Sequence, residues 1–212
     1  MLNLGTTFNQ KFKVISNLGH GLTADVYKIE CNKTKKCYAL KVIKKSYLAG
    51  KLTRPMEVKR EMRIAKMLDH KNFIHTCDSG ENGFTDDGKQ FLIYQIMEYI
   101  PNDQVFDLIK ECGNVGEDGG RFFLKQMVEG IEYMHEEKGV VHRDIKMENM
   151  LISRDLTIKF ADFGFATDQS IDKLLSYRGT KTYMAPEIKL GQIYKGKEVD
   201  IFSIGVILFI MV

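Results

Sequence analysis

The stretch VVHRDIKMENMLI, residues Val140 to Ile152, sets His142, Arg143, Asp144, Lys146 and Asn149 between two apolar runs. A charged group beside a core is costly unless it is paired or bound to a ligand. The stretch is therefore either a structural polar knot or the holder of something ionic. Its surroundings have to decide between the two.

Downstream, LTIKFADFG ends an apolar strand on Asp162. A lone Asp at a strand end is most often a turn former. Taken with Asn149, it offers hard oxygen donors suited to Mg2+ carrying phosphates. Asp144 has the chemistry to take or orient the proton of an attacking hydroxyl, and Lys146 that to neutralise a moving phosphoryl group. Upstream, Gly19-His20-Gly21-Leu22-Thr23-Ala24 is a degenerate Gly-x-Gly-x-x-Gly with Ala24 in third place. Alone, such a loop is more often just a turn. Here it joins the β-prone segments FKVISNLG and ADVYKIE. A dinucleotide fingerprint runs from strand to helix; a strand-to-strand loop suits a hairpin folded over a nucleotide, with glycines admitting backbone N–H groups close to phosphates.

Lys41 lies in YALKVI and shares a strand face with Ala39 and Ile43. Glu61 lies within the helical stripe Val58, Met62, Ala65, Leu68 of RPMEVKREMRIAKMLDH. Each charge alone reads as a solvated residue at the edge of its element. Two opposite charges on inward faces are expected to pair.

The remaining pattern is α+β, mostly β in front and mostly helical behind. ECNKTKKC reads as a polar turn, YALKVIKK as a strand, and GKQFLIYQIMEYI as one or two strands. Val115 to Asp118 reads as loop. GGRFFLKQMVEGIEYMHEEKG reads as a helix with Leu124, Val128, Ile131 and Met134/His135 inward, stopped at Gly139. The apolar content of 44% and charged content of 28% in 212 residues are globular values. A net charge of +3 is too small to imply nucleic acid or an acidic membrane. Cys31, Cys37, Cys77 and Cys112 form no zinc spacing and read as reduced thiols, with a Cys31–Cys37 disulfide as the alternative. The start MLNLGTTFNQKFKV lacks the pattern of a signal peptide. VDIFSIGVILFIMV is too short to span a bilayer, carries Asp200, and reads as a buried helix. The expected location is the cytoplasm, with the nucleus as alternative.

LGHGLTADV, YALK, Glu61 before DHKNFI, HRDIKMEN, DFG and GTKTYMAPE occur in an order and spacing that resemble a eukaryotic protein kinase. Lys146 two after Asp144, and the form of GTKTYMAPE, resemble the Ser/Thr branch. HRDIKMENMLI, ADFGFA and VDIFSIGVILFIMV look most like the calcium/calmodulin-dependent group. The resemblance implies a bilobal fold: a β-rich N-lobe over 1–97, a hinge over 98–102, and a helical C-lobe over 103–212. It also implies use of ATP and Mg2+, a protein substrate, an upstream activating kinase, and neither nucleic acid nor membrane as partner.

By the same resemblance, Leu18, Gly19, Gly21 and Val26 cover ATP. Ala39 and Leu151 sandwich the adenine, the backbones of Glu98 and Ile100 bond its edge, and Met97 guards the pocket behind. Lys41, held by Glu61, grips the α/β-phosphates. Asn149 and Asp162 hold Mg2+, Asp144 is the catalytic base, and Lys146 steadies the γ-phosphate. In the activation segment, Asp162 to Glu187, Ser176 is the implied phosphosite and Arg143 its partner. Thr180 is expected to bond Asp144 and Lys146. Phe165 after DFG suggests serine over threonine as acceptor. Glu148 is present, but Gln104 and Ile210 stand where strongly basophilic kinases have acids, so weak demand for multiple arginines is expected.

The chain stops at Val212 inside a helix that the family follows with others, including the Arg partner of Glu187. The expectation is a piece of a longer product with an incomplete C-lobe, of low stability and activity by itself. Two other functions compete: a non-catalytic kinase-like binding module, and a small-molecule phosphotransferase. GTKTYMAPE, a peptide platform, argues against the latter.

Overall fold

The computed structural model describes residues 2–50, 54–86, 88, 92–101, 104–168, 174 and 178–212. They form two compact units, Met1–Met62 with His75–Tyr99, and Arg63–Ile74 with Ile100–Val212.

The first unit is an antiparallel sheet of β1 (Thr7–Phe8), β2 (Phe12–His20), β3 (Ala24–Cys31), β4 (Cys37–Ile43), β5 (Thr76–Gly83) and β6 (Leu92–Glu98), in the order β1-β2-β3-β4-β6-β5. It also holds the short α1 (Lys45–Ala49) and the first part of α2 (Arg54–Met67). Period-two alternation sorts the strand residues onto two faces. Phe12, Val14, Tyr27, Ile29, Leu40, Val42, Tyr94 and Ile96 pack with Phe8 on one face. Ala24, Ile43 and Val58 of α2 pack on the other, with Met62 and Ile93 against them. Alternation in β4 puts Lys41 on the face of Ile43, toward α2. Glu30 pairs with Cys37 across the β3–β4 hairpin, so Cys31 points to the opposite face from Cys37. That register rules out the alternative Cys31–Cys37 disulfide, and all four cysteines are free thiols.

The second unit contains α3 (Val105–Cys112), α4 (Gly116–Glu132), the pairs β7 (Val140–Val141) with β10 (Thr167–Asp168) and β8 (Met150–Ile152) with β9 (Ile158–Phe160), α5 (Pro186–Lys189) and α6 (Gly196–Met211). The stretch expected as loop at Val115–Asp118 is already the first turn of α4 from Gly116 onward. The buried stripe of α4 is Phe123, Met127 and Ile131, at helical spacing, continued by Met134. Val128 was expected inward but is 44% exposed, because this stripe lies one residue N-terminal of the expected one. After Glu132 the helix widens into a π-helical turn, Tyr133–Glu137, which buries the adjacent residues Met134 and His135 together. Gly139, at φ +61°, ends it. α6 buries Val199, Asp200, Ser203, Ile204, Ile207 and Met211, while Ile201, Phe202 and Phe209 are exposed. Among the described residues no helix is long and apolar enough to cross a membrane.

Candidate active site

In the first unit, Lys41 Nζ lies 2.5 Å from Glu61 Oε1, with both side chains about nine-tenths buried. The register of the sheet sets what stands beside this pair. Lys41 is opposite Val26 on β3 and Gln95 on β6, and Ala39 is opposite Met97. Gly19 pairs with Val26 at the mouth of the β2–β3 hairpin. Leu18 is exposed, Ala39 buried, and Met97, Glu98 and Ile100 half-buried. Glu98 is fixed twice to His75: its N–H donates to the His75 carbonyl at 3.0 Å, and its Oε1 accepts the His75 N–H at 2.8 Å.

Three residues around the glycine loop went unread in the sequence. Lys44 Nζ donates to the Gly21 carbonyl at 2.7 Å and lies 3.0 Å from Asp25 Oδ1. His20 Nδ1 is 3.0 Å from the same oxygen. Burial pushes the Asp25 carboxyl up, but the His20 and Lys44 hydrogen bonds outweigh it and leave the group below its ordinary value. The available signal was a pair of opposite charges, Asp25 near the start of β3 and Lys44 just after β4.

In the second unit, the loop after β7 carries Asp144, Lys146 and Asn149. Thr180 Oγ1 donates to Asp144 Oδ1 at 2.9 Å and accepts from Lys146 Nζ at 2.9 Å. Lys146 Nζ also lies 3.1 Å from Asp144 Oδ2. Asn149 Nδ2 donates to the Asp144 carbonyl at 3.1 Å and to its Oδ2 at 3.2 Å. The amide oxygen of Asn149 is thus the atom turned away from Asp144. The Asn149 carbonyl accepts the Ala161 N–H at 2.8 Å, extending the β8–β9 pairing and bringing Asn149 and Asp162 to the same hairpin end. Leu151, on β8, is half-buried and bridges to Gln104.

Arg143 and Asp162 occupy the left-handed region, at φ +65° and +60°. Asp200 of α6 holds the first of these bends. Its Oδ1 accepts the Arg143 N–H at 2.7 Å, and its Oδ2 accepts the His142 N–H at 2.8 Å and lies 2.8 Å from His135 Nε2. Arg143 Nε donates to the Phe165 carbonyl at 2.8 Å, and the Arg178 guanidinium lies over the Phe165 ring, 5.7 Å from its centroid. Gly179 sits at φ +115°, and a Cβ there would lie 3.0 Å from the Arg143 carbonyl, so only glycine lets the chain pass Arg143 and deliver Thr180 to Asp144. Burial, and then the nearby Glu148 charge and its hydrogen bond, push the Tyr183 phenol up to about 12. Ser176 lies outside the described residues, as does Asn102 of the hinge.

The donor chemistry fits a hard divalent cation. Asn149 and Asp162 supply two protein oxygens at one hairpin end, and among the described residues no group of three or more His, Cys, Asp or Glu forms a protein-only cage. Mg2+ characteristically uses one or two carboxylates and completes its shell with substrate phosphates and water.

A family model described as protein kinase domain matches residues 12–212. The chain is 35% identical over 202 residues to "Probable serine/threonine-protein kinase KIN1 homolog" of Enterocytozoon bieneusi (strain H348), covering 95% of this chain and 32% of that one. It is 38% identical over 197 residues to "Probable serine/threonine-protein kinase MARK-B" of Dictyostelium discoideum, covering 92% and 26%. The chain therefore spans about a third or less of the length of these two relatives.

Proposed function

From the premise that this chain belongs to the protein kinase family, matched over residues 12–212, we propose that it transfers the ATP γ-phosphoryl group to serine, and less readily threonine, hydroxyls of proteins. The observation that carries this reading is the Asp144 carboxylate, held at once by Thr180, Lys146 and Asn149. Three fixed donors hold it stationary, as a positioned general base must be. In the proposed reaction the acceptor hydroxyl gives its proton to Asp144 as its oxygen bonds the γ-phosphorus, and the bond to the ADP oxygen breaks. Lys146 balances charge on the phosphoryl group in flight. The transition state is loose, so positioning and charge neutralisation supply most of the acceleration.

In the same reading Lys41, held by Glu61, grips the α/β-phosphates. Leu18, Gly19, Gly21 and Val26 cover the nucleotide, Ala39 and Leu151 enclose the adenine, Met97 backs it, and the backbones of Glu98 and Ile100 bond its edge. Asn149 and Asp162 would hold Mg2+, which when bound would neutralise phosphate charge. Phe165 supports the preference for serine, and the absence of acids at Gln104 and Ile210 supports weak selection for upstream arginines. We extend the reading to a switch in which phosphorylated Ser176 engages Arg143, and to membership of the calcium/calmodulin-dependent group. Purified protein incubated with ATP, Mg2+ and a generic protein acceptor should yield phosphoserine. Asp144→Asn should lower the rate by about 10²–10⁴-fold; equal rates for the variant and the parent would overturn the assignment.

A further inference from the structure

We infer that His20, Asp25 and Lys44 form a positioning cluster that fixes the glycine loop in its phosphate-facing shape, with Lys44 as the tie. The inference rests on the reading of this loop as the cover over the ATP phosphates.

Two glycines make the loop conformationally permissive, and an unordered loop must lose that freedom each time it closes on a ligand. Apolar packing does not hold the tip, because Leu22 is 94% exposed. What holds it is polar. Gly21 N–H donates to the Ala24 carbonyl at 2.9 Å, closing the turn. Lys44 then grips the turn at two points: its backbone N–H donates to the Thr23 carbonyl at 2.9 Å, and its Nζ donates to the Gly21 carbonyl at 2.7 Å. With that carbonyl occupied, the Gly21 peptide plane is fixed, and with it the direction of the neighbouring N–H groups.

Lys44 would otherwise swing freely on a four-carbon stem. Asp25, whose side chain is 8% exposed, prevents this from 3.0 Å away. His20, on the loop itself, meets the same Asp25 oxygen, so the carboxylate joins the end of β2, the start of β3 and the residue after β4. Lys44 follows Lys41 by three residues, so one strand end would both grip the phosphates and tie down their cover. Lys44 acts through the loop and is a positioning residue.

ATP and adenosine separate this role from a general structural one, because only ATP carries the phosphates that the loop faces. Affinities of the purified chain for both, measured by calorimetry with Mg2+ present, provide the test. Lys44→Met should weaken ATP about tenfold, the order of one hydrogen bond to a charged group, and leave adenosine within about twofold. Lys44→Arg, which keeps charge and donors, should restore most of the ATP affinity, and Asp25→Asn should reproduce the Lys44→Met pattern more weakly. Unchanged ATP affinity in Lys44→Met, or equal losses for ATP and adenosine, overturns the cluster while leaving the nucleotide reading intact. A parent chain that binds neither ligand overturns the nucleotide reading, and the cluster's role with it.

Discussion

Arg143 and Asp162 are held in a backbone region that residues with a Cβ avoid, at about 1–3 kcal/mol each. Asp200 offsets the first by accepting two backbone N–H groups at 2.7 and 2.8 Å while fully buried. Asp200→Ala would leave both donors buried and unpaired, at roughly 1–3 kcal/mol for each. We expect a loss of about 3–5 kcal/mol in urea denaturation, and a loss under about 0.5 kcal/mol would contradict the bracing role. Tyr183 gives a residue-level pH prediction. Its phenol, ordinarily near 10, is pushed up to about 12 by burial and the adjacent Glu148. The folded state therefore holds this proton more tightly than the unfolded one. Its contribution is complete below pH 10 and lost as pH rises from 10 to 12. Tyr183→Phe, which has no proton to lose, should show a shallower fall in melting temperature across that window than the parent. Parallel curves would show that the phenol does not titrate as described.

At the scale of elements, α4 passes so close to β9 that a Cβ on Gly130 would lie 2.9 Å from the Phe160 ring and 3.2 Å from Asn72 Cβ. That ring stacks on Phe73 and is fully buried, so it has little room to move. Gly130→Ala should cost about 1–3 kcal/mol from overpacking, despite the helical preference of Ala. Gly205 in α6 has nothing within 4 Å of its Cβ position. Gly205→Ala should therefore stabilise by up to about 1 kcal/mol, and the opposite signs in urea midpoints are the check. The sequence disclosed elements in proportion to their apolar period. β2, β3 and β4 carry clear alternation and stand where they were read, and α4 was recognised as a helix though it starts earlier than read, whereas β5, TCDSGENG, is almost entirely polar and becomes a strand only by pairing with β6. Val128 was misread because α4 and its π-helical turn have no single period: a stripe extrapolated back from Met134 and His135 slips by a residue. Among site residues, the pairing of Lys41 with Glu61 was legible because two charges stood on otherwise apolar faces. Lys44 was not, because a lysine just past a strand end looks like any solvated lysine until the turn it grips is seen.

For the whole molecule, the residues proposed to act on one nucleotide are divided between two units. Lys41, Glu61 and the glycine loop belong to the first, and Asp144, Asn149 and Asp162 to the second. Such a division is why motif order along the chain, rather than any one motif, carried the sequence reading: a glycine turn or a strand-end Asp is ordinary alone. Nucleotide binding, as proposed, is measurable through folding. A ligand that binds only the native state stabilises it by about 2.7 kcal/mol at a hundred times its dissociation constant. For a chain of this size that raises the melting temperature by roughly 5–10 °C. Saturating ATP with Mg2+ should produce a shift of that order, and ATP with a chelator a smaller one. Asp162→Asn exchanges a charged oxygen donor for a neutral amide and should bring the first shift down to the second, while Lys41→Met should reduce both. Equal shifts with and without Mg2+ in the parent would remove Asp162 and Asn149 from the metal role, and no shift under any condition would remove the nucleotide itself.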